Sequence, residues 1–214
     1  FFERGQAIAK DAALGIIPFG TGGDFRKSVH IPTDIAKAAR IIAAGGVIAY
    51  PTEAVYGLGC LPLNADAVER VIAIKQRDAR KGLILVGDSI ERINEFAALP
   101  GGEIGKQIAA SWPGPVTWVL PALPGTPPVL TGGRTTIAVR VSDHPLVRQL
   151  CRRVGSALVS TSANRSRRRP ARSALAVRRW LGSDIDDVLA GPLGGSVRPT
   201  EIRDGATGRV LRPG

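Results

Sequence analysis

Histidine and cysteine are scarce, two of each in 214 residues. Cys60 and Cys151 stand in unrelated contexts, and with His30 and His144 as the only histidines no metal-ligand spacing can be assembled. The two thiols therefore read as buried packing groups. Acidic residues are also in short supply, 18 against 29 Lys and Arg, which gives a formal net charge of +11. That imbalance predicts a surface attractive to phosphates, of nucleotides or of RNA, without choosing between them. No apolar run approaches the roughly 20 residues that span a bilayer. FFERGQAIAKD lacks the basic start and apolar middle of a secretory signal, so the expectation is a cytoplasmic chain with no membrane contact. Catalytic signatures are missing too: there is no G-x-x-x-x-G-K-S/T, no G-x-G-x-x-G after a strand, no G-x-S-x-G and no Ser/His/Asp order. Any chemistry must then rest on positioning and charge neutralisation rather than a side-chain nucleophile, as in nucleotidyl transfer to a substrate that already carries an anionic nucleophile.

What is present is an alternation of helical and strand periods. Hydrophobic residues make up 44% of the chain, enough for the core of one domain. Thr33 is placed to cap DIAKAARIIAA, with Gly45-Gly46 as the stop, and the short strand VIAY follows. Asn64 is placed to cap ADAVERVIAIKQR, and LILVG reads as a buried strand. Helices are expected near residues 89–98 and 102–111. WPGPVTWVLPA and TTIAVRV supply two strands, HPLVRQLCRRVG a helix closed by Gly155, and ALVSTSAN a strand that runs out into polar residues. The tail adds a helix in ARSALAVRRWLG, a short apolar segment in DDVLAG and a strand-like EIRDG. Helices interleaved with strands indicate a layered α/β domain around a twisted, partly parallel sheet, and the short turns suggest some antiparallel pairing.

Polar residues gather where the strands end, the usual place for ligands in open α/β sheets. One group is Thr52-Glu53 with Tyr56 and Gly57; a second is Lys75-Gln76-Arg77 with Lys81; a third is Ser160 to Asn164. Gly114-Pro115-Val116-Thr117 sets a hydroxyl just after a tight turn. Lys75 and Arg77 offer a point charge and a planar fork suited to a polyphosphate, although a helix end complementing its dipole has the same composition. Ser160 to Asn164 suits phosphate or an amino-acid ligand, and equally a cap and loop.

The segments PTEAVYGLG, KQRDARKGLILV, SWPGPVTWVLPA, TTIAVRVSDHPLV, LVSTSAN and RPTEIRDGATGRVLRPG occur in that order. Together they closely resemble the YrdC/TsaC family of threonylcarbamoyl-adenylate synthases, over about residues 36–214. The resemblance implies a YrdC-like α/β fold: a twisted mixed parallel/antiparallel sheet flanked by helices, in a single main domain with a basic concave cleft. It implies that L-threonine, bicarbonate and ATP give threonylcarbamoyl-adenylate and pyrophosphate, with Mg2+ held mainly through the ATP phosphates. Downstream threonylcarbamoyl-transferase complex proteins would pass the group to N6 of adenosine 37 (t6A) in tRNAs that read ANN codons.

Carried over residue by residue, the resemblance gives Thr52, Arg140 and Ser160 to threonine, and Lys75 and Arg77 to the ATP phosphates and catalysis. Lys81, Thr117, Ser142, Ser162, Asn164 and Arg198 complete the nucleotide side. Gly57 and Gly59 would let the backbone approach a ligand, and Glu53 would either orient the substrate ammonium or tie down its loop. A carbamate oxygen would attack the α-phosphorus while Lys75, Arg77 and magnesium offset the charge building on pyrophosphate, so no strong general base is needed.

Two features depart from the family. The glycine usual soon after S-A-N is replaced by RSRRRPAR, residues 165–172, with Arg167 near the glycine's place. Those arginines read as a tRNA contact or as a solvated loop. Residues 1–35, with LGIIPFGTGGDF, resemble instead a fragment of diacylglycerol-kinase-like lipid kinases, without that family's G-G-D-G-T loop. They form an atypical N-terminal segment, a fusion or a mis-joined fragment. The competing functional reading is a non-catalytic basic module that binds double-stranded RNA or tRNA in the same concavity; a lipid-kinase remnant is remote.

Overall fold

The computed structural model describes residues 34–196 and 198–214. The expectations placed on residues 1–33, Thr33 as a cap included, lie outside the described residues. Asp34 caps the first helix, α1 (Ile35–Ala43), accepting from the backbone N–H of Lys37 at 2.7 Å. A hairpin follows, β1 (Ile48–Pro51) and β2 (Tyr56–Gly59), antiparallel with Tyr50 opposite Gly57. Gly57 and Gly59, expected to let the backbone approach a ligand, lie within a strand because β1 on one side and residues 161–162 on the other satisfy its backbone.

Asn64 caps α2 (Ala65–Lys75) as expected, and Gln76 ends it in the left-handed region at φ 48°. That reversal lifts Arg77 off the helix axis beside a short 3-10 turn, Ala79–Lys81. Then come β3 (Ile84–Gly87), α3 (Ile90–Ile93), α4 (Gly102–Ser111), β4 (Val116–Pro121), α5 (Pro128–Thr131), β5 (Thr136–Val141) and α6 (Pro145–Val154). The helix expected near 89–98 is a single turn. Its continuation is drawn off to the end of the strand at 116–121, where Ala98 N–H donates to Pro121 O at 2.9 Å. The chain closes with β6 (Leu158–Ser162), α7 (Ala174–Leu181), β7 (Asp187–Val188), β8 (Glu201–Asp204) and β9 (Val210–Arg212).

Among the described residues the strands form one sheet in the order β7-β1-β2-β6-β3-β5-β4-β8-β9. It is mixed, as the sequence implied: β1–β7, β3–β5 and β4–β8 are parallel, and the remaining pairs antiparallel. Side chains alternate between its two faces. Ile48, Tyr50 and Val86 pack with Ala38, Ile42, Val147 and Leu150 of α1 and α6, whereas Ala49 and Leu85 join Val68, Val71 and Val177 of α2 and α7. Trp118 fills the second core, fully buried, its indole N–H donating to Ser111 Oγ at 2.9 Å. Cys60 and Cys151 are buried as expected, and burial pushes both thiols up to about 12, so they are inert packing groups. No helix of the described residues is long and apolar enough to cross a membrane.

Candidate functional site

A cleft of about 270 Å³ opens where β1, β6 and β9 end, and Arg77, Arg140 and Arg212 line it together with Thr52, Ser160 and Ser162. They come from five elements: Thr52 from the turn after β1, Arg77 from the left-handed exit of α2, Arg140 from β5, Ser160 and Ser162 from β6, Arg212 from β9. Among the described residues no carboxylate lines it. The guanidinium of Arg77 is held below its ordinary range by burial, with Arg134 and Arg212 adding repulsion. Arg212 is lowered in the same way, by burial and by Arg140. Arg77 and Arg212 form no ion pair among the described residues, and cations crowded in this way are what an anion would relieve.

Glu53 stands between the cleft-lining residues Thr52 and Ala54, and it is spoken for. It is 3% exposed, lies 3.0 Å from Arg140 Nη2 through Oε2, and accepts at 2.6 Å from Ser142 Oγ through Oε1. The ion pair is off hydrogen-bonding alignment, so Glu53 Oε2 and Arg140 Nε stay without hydrogen-bond partners. Of the two roles open to Glu53, tying down its loop is the one this geometry supports. The loop at 194–196 closes over it, with Gly194 N–H donating to Thr52 O and Ser196 N–H to Glu53 O.

Thr52 is buried and lines the cleft; its hydroxyl donates to Val55 O at 2.7 Å, which leaves its lone pairs to accept. Ser160 faces it across Gly57, where a Cβ would lie 3.2 Å from Thr52 Cγ2 and 3.4 Å from Ser160 Oγ. Gly57 therefore keeps the cleft floor open. Gly59 serves packing instead, because a Cβ there would meet Tyr50 Cε1 at 2.5 Å and Val159 O at 2.6 Å.

Lys75 is 4% exposed, and its ammonium is turned into the end of β6. It donates to Ser162 O, to Asn164 O at 3.0 Å and to Asn164 Oδ1 at 3.2 Å. Burial, then the charge of Arg77, lowers it to about 8. Asn164 is fully engaged as well. Its Oδ1 also accepts from Ser162 Oγ at 2.6 Å, and its amide donates to Arg165 O and Arg168 O. Lys75, Ser162 and Asn164 thus form one knot that shapes the mouth of the cleft, with Ser162 on its wall.

Besides Lys75 and Asn164, which this knot holds off the cleft lining, four more residues expected on the nucleotide side lie elsewhere. Ser142 is fully buried because its hydroxyl anchors Glu53, and Thr117 is fully buried in β4 with its hydroxyl unpartnered. Arg198 and Lys81 are exposed and off the cleft wall; the carbonyl of Lys81 accepts from Arg77 Nη2 at 3.3 Å. Arg212, which the sequence reading did not single out, occupies the wall that Arg198 was expected to reach. The signal was the R of the terminal LRPG, one residue from the expected segment across the β8–β9 hairpin.

Among the described residues no group of three or more His, Cys, Asp or Glu is placed to hold a metal ion. The donor set of the cleft is cationic and hydroxylic, which fits a polyphosphate that brings its own cation and does not fit a protein-held metal.

The Sua5/YciO/YrdC family model, described as telomere recombination, matches residues 40–214. The diacylglycerol kinase catalytic domain model matches residues 3–52. The threonylcarbamoyl-AMP synthase of Halorhodospira halophila is 53% identical over 181 residues, which is 85% of this chain and 95% of that protein. That of Alkalilimnicola ehrlichii is 49% identical over 181 residues, 83% of this chain and 94% of its own. P. abyssi Sua5 complexed with L-threonine superimposes with a TM-score of 0.77 at 33% identity, over 84% of this chain. The chain spans about half of that structure's length, 53%. A family match over residues 40–214, relatives near half identity and the shared mixed-sheet fold agree: this chain belongs to the Sua5/YciO/YrdC family.

Proposed function

We infer that the chain is a threonylcarbamoyl-AMP synthase, with residues 36–214 as its working domain and residues 1–35 as a segment of other origin. The observation that carries this reading is the convergence of Arg77, Arg140 and Arg212 on a cleft that no carboxylate of the described residues lines, beside two hydroxyl residues, Thr52 and Ser160. Relatives near half identity carry that name. The amine of L-threonine adds to CO2 supplied by bicarbonate and loses a proton to solvent. A carbamate oxygen then attacks the α-phosphorus of ATP, and the bond to the β-phosphate oxygen breaks to release pyrophosphate. Arg77 and Arg212 offset the charge of the leaving group, while Thr52, Ser160 and Arg140 position threonine. Magnesium, bound through the phosphates, supplies further charge neutralisation. The product serves tRNA modification in the cytoplasm: partner proteins transfer the threonylcarbamoyl group to N6 of adenosine 37.

The test is pyrophosphate release from ATP and magnesium, with threonine and bicarbonate each added and withheld. Release that needs both is the expected result; release independent of threonine, or none from folded protein, would sink the reading. A second result follows from the cleft floor. Gly57→Ala puts a methyl between Thr52 and Ser160, so KM for threonine is expected to rise roughly tenfold, about 1.4 kcal/mol of binding, with KM for ATP little changed. Equal changes in both constants would show that Gly57 serves the strand rather than the threonine site.

A further inference from the structure

The arginine-rich loop and the helix after it share a surface that the synthase reaction does not use. Asn164 holds the carbonyls of Arg165 and Arg168, and Ser166 N–H donates to Lys75 O at 2.7 Å, so the base of the loop is fastened to the knot beneath the cleft. Arg165 pairs with Asp184 at 2.9 Å, just beyond α7, which draws the loop against the C-terminal end of that helix. Arg167 takes the left-handed conformation, φ 64°, that the family's glycine would adopt, and the loop turns outward there. Arg167, Arg168 and Arg169 are exposed at its crest. Arg178 and Arg179 are exposed on α7, and none of these five forms an ion pair among the described residues. The carboxylates nearby are occupied: Asp184 by Arg165, Asp186 by Arg70, Asp187 by Lys37.

Directly after Arg178 and Arg179 on α7 stands Trp180, 47% exposed, the one tryptophan of the described residues whose ring is not buried. An arginine run alone is an unspecific signal. An exposed indole next to unpaired guanidinium groups adds a face on which a base can stack, and guanidinium planes stack likewise. Pro170, within the same loop, lines the cleft, so the surface begins at the cleft's rim.

We propose that loop 165–172 and the outer face of α7 form a binding surface for RNA that presents unpaired bases, with Trp180 as the stacking platform. In choosing RNA over other polyanions the proposal rests on the synthase reading, whose final acceptor is tRNA. Phosphates lie along the arginines, and an unstacked base covers Trp180.

The test is fluorescence anisotropy of a labelled RNA hairpin with an unpaired loop, titrated with the full chain at several salt concentrations. The combined variant Arg167→Gly, Arg168→Ser, Arg169→Ser keeps the left-handed turn. It is expected to bind about tenfold or more weakly and to lower the salt slope by about 2, the contribution of three phosphate contacts to single-stranded RNA. Trp180→Ala is expected to weaken binding about tenfold without altering that slope, since one stacked base is lost and no charge. Both variants should release pyrophosphate at the wild-type rate, which also shows that they fold. Unchanged RNA affinity in both variants, a duplex without unpaired bases bound as tightly, or displacement of the hairpin by polyglutamate at equal charge would each overturn the surface. Wild-type pyrophosphate release without hairpin binding would overturn it too while leaving the synthase reading intact; binding lost in the variants without any pyrophosphate release would fail the synthase reading alone.

Discussion

Glu53→Ala is expected to destabilise the protein by about 3–5 kcal/mol, because it strands the charge of Arg140 in a site that is 4% exposed. The native pair is imperfect, 3.0 Å apart but poorly aligned, and the second oxygen of Glu53 is needed to accept from Ser142. Deleting the carboxylate therefore leaves both a cation and a hydroxyl without their partner. Ser142 Oγ in turn accepts from His144 N–H at 3.2 Å, so the start of α6 feels the loss. At about 2–4 °C per kcal/mol for a domain of this size, the melting temperature should fall by roughly 10 °C. Thermal and urea unfolding of the variant measure this directly. The double variant Glu53→Leu, Arg140→Leu separates the cost of a stranded charge from the worth of the pair: it should regain most of the lost stability while remaining inactive. A single variant that loses less than about 1 kcal/mol would mean that water reaches Arg140 and that the pair is not a buried one.

The elements that sequence alone made legible are those with local chemistry. Asn64 caps α2 and Gly155 ends α6 because an amide oxygen and a missing Cβ act within their own turn, whatever the rest of the fold does. The gathering of Thr52, Arg77, Arg140 and Ser160 was legible through the order of the motifs, and the cleft does collect them. What stayed hidden depends on register. Thr117 sits on β4 and Ser142 just past the end of β5, where a one-residue shift exchanges cleft for core, and periodicity in a short strand buried on both faces does not say which. The choice of Arg212 over Arg198 is of the same kind. Arg212 lies opposite Ile202, beside an irregularity in the β8–β9 register, and that pairing sends it to the cleft wall. The turn of Lys75 was hidden for another reason: two of its partners are the backbone carbonyl oxygens of Ser162 and Asn164, and backbone acceptors leave no mark in a side-chain pattern.

That turn gives the two halves of the K-x-R motif different signatures when they are removed. Arg77→Ala should lower kcat/KM for ATP more than tenfold, about 1.4 kcal/mol or more of transition-state stabilisation, because Arg77 lines the cleft and its Nε has no hydrogen-bond partner among the described residues. Lys75→Ala should cost at least as much in rate and also loosen the Ser162–Asn164 knot, so its loss extends to stability. The pH dependence separates them further. With Lys75 lowered to about 8, kcat/KM for ATP should fall as pH rises through 8, since that parameter reports the free enzyme and the ammonium is lost there. Bound polyphosphate favours the charged amine, so the same limb in kcat should lie at higher pH. For stability the sign is opposite. The unfolded lysine keeps its proton up to about 10.5, so the penalty for burying the charge is full below pH 8 and is relieved between 8 and 10.5, where stability should rise. Removing Arg77 takes away the second cause of the shift and should move the alkaline limb of the residual activity upward. Rate profiles of wild type, Arg77→Ala and Lys75→Ala from pH 6.5 to 9.5 decide the matter. A limb that persists unchanged in Lys75→Ala would assign the titration to another group, and full activity in Arg77→Ala would remove the phosphate clamp from this cleft.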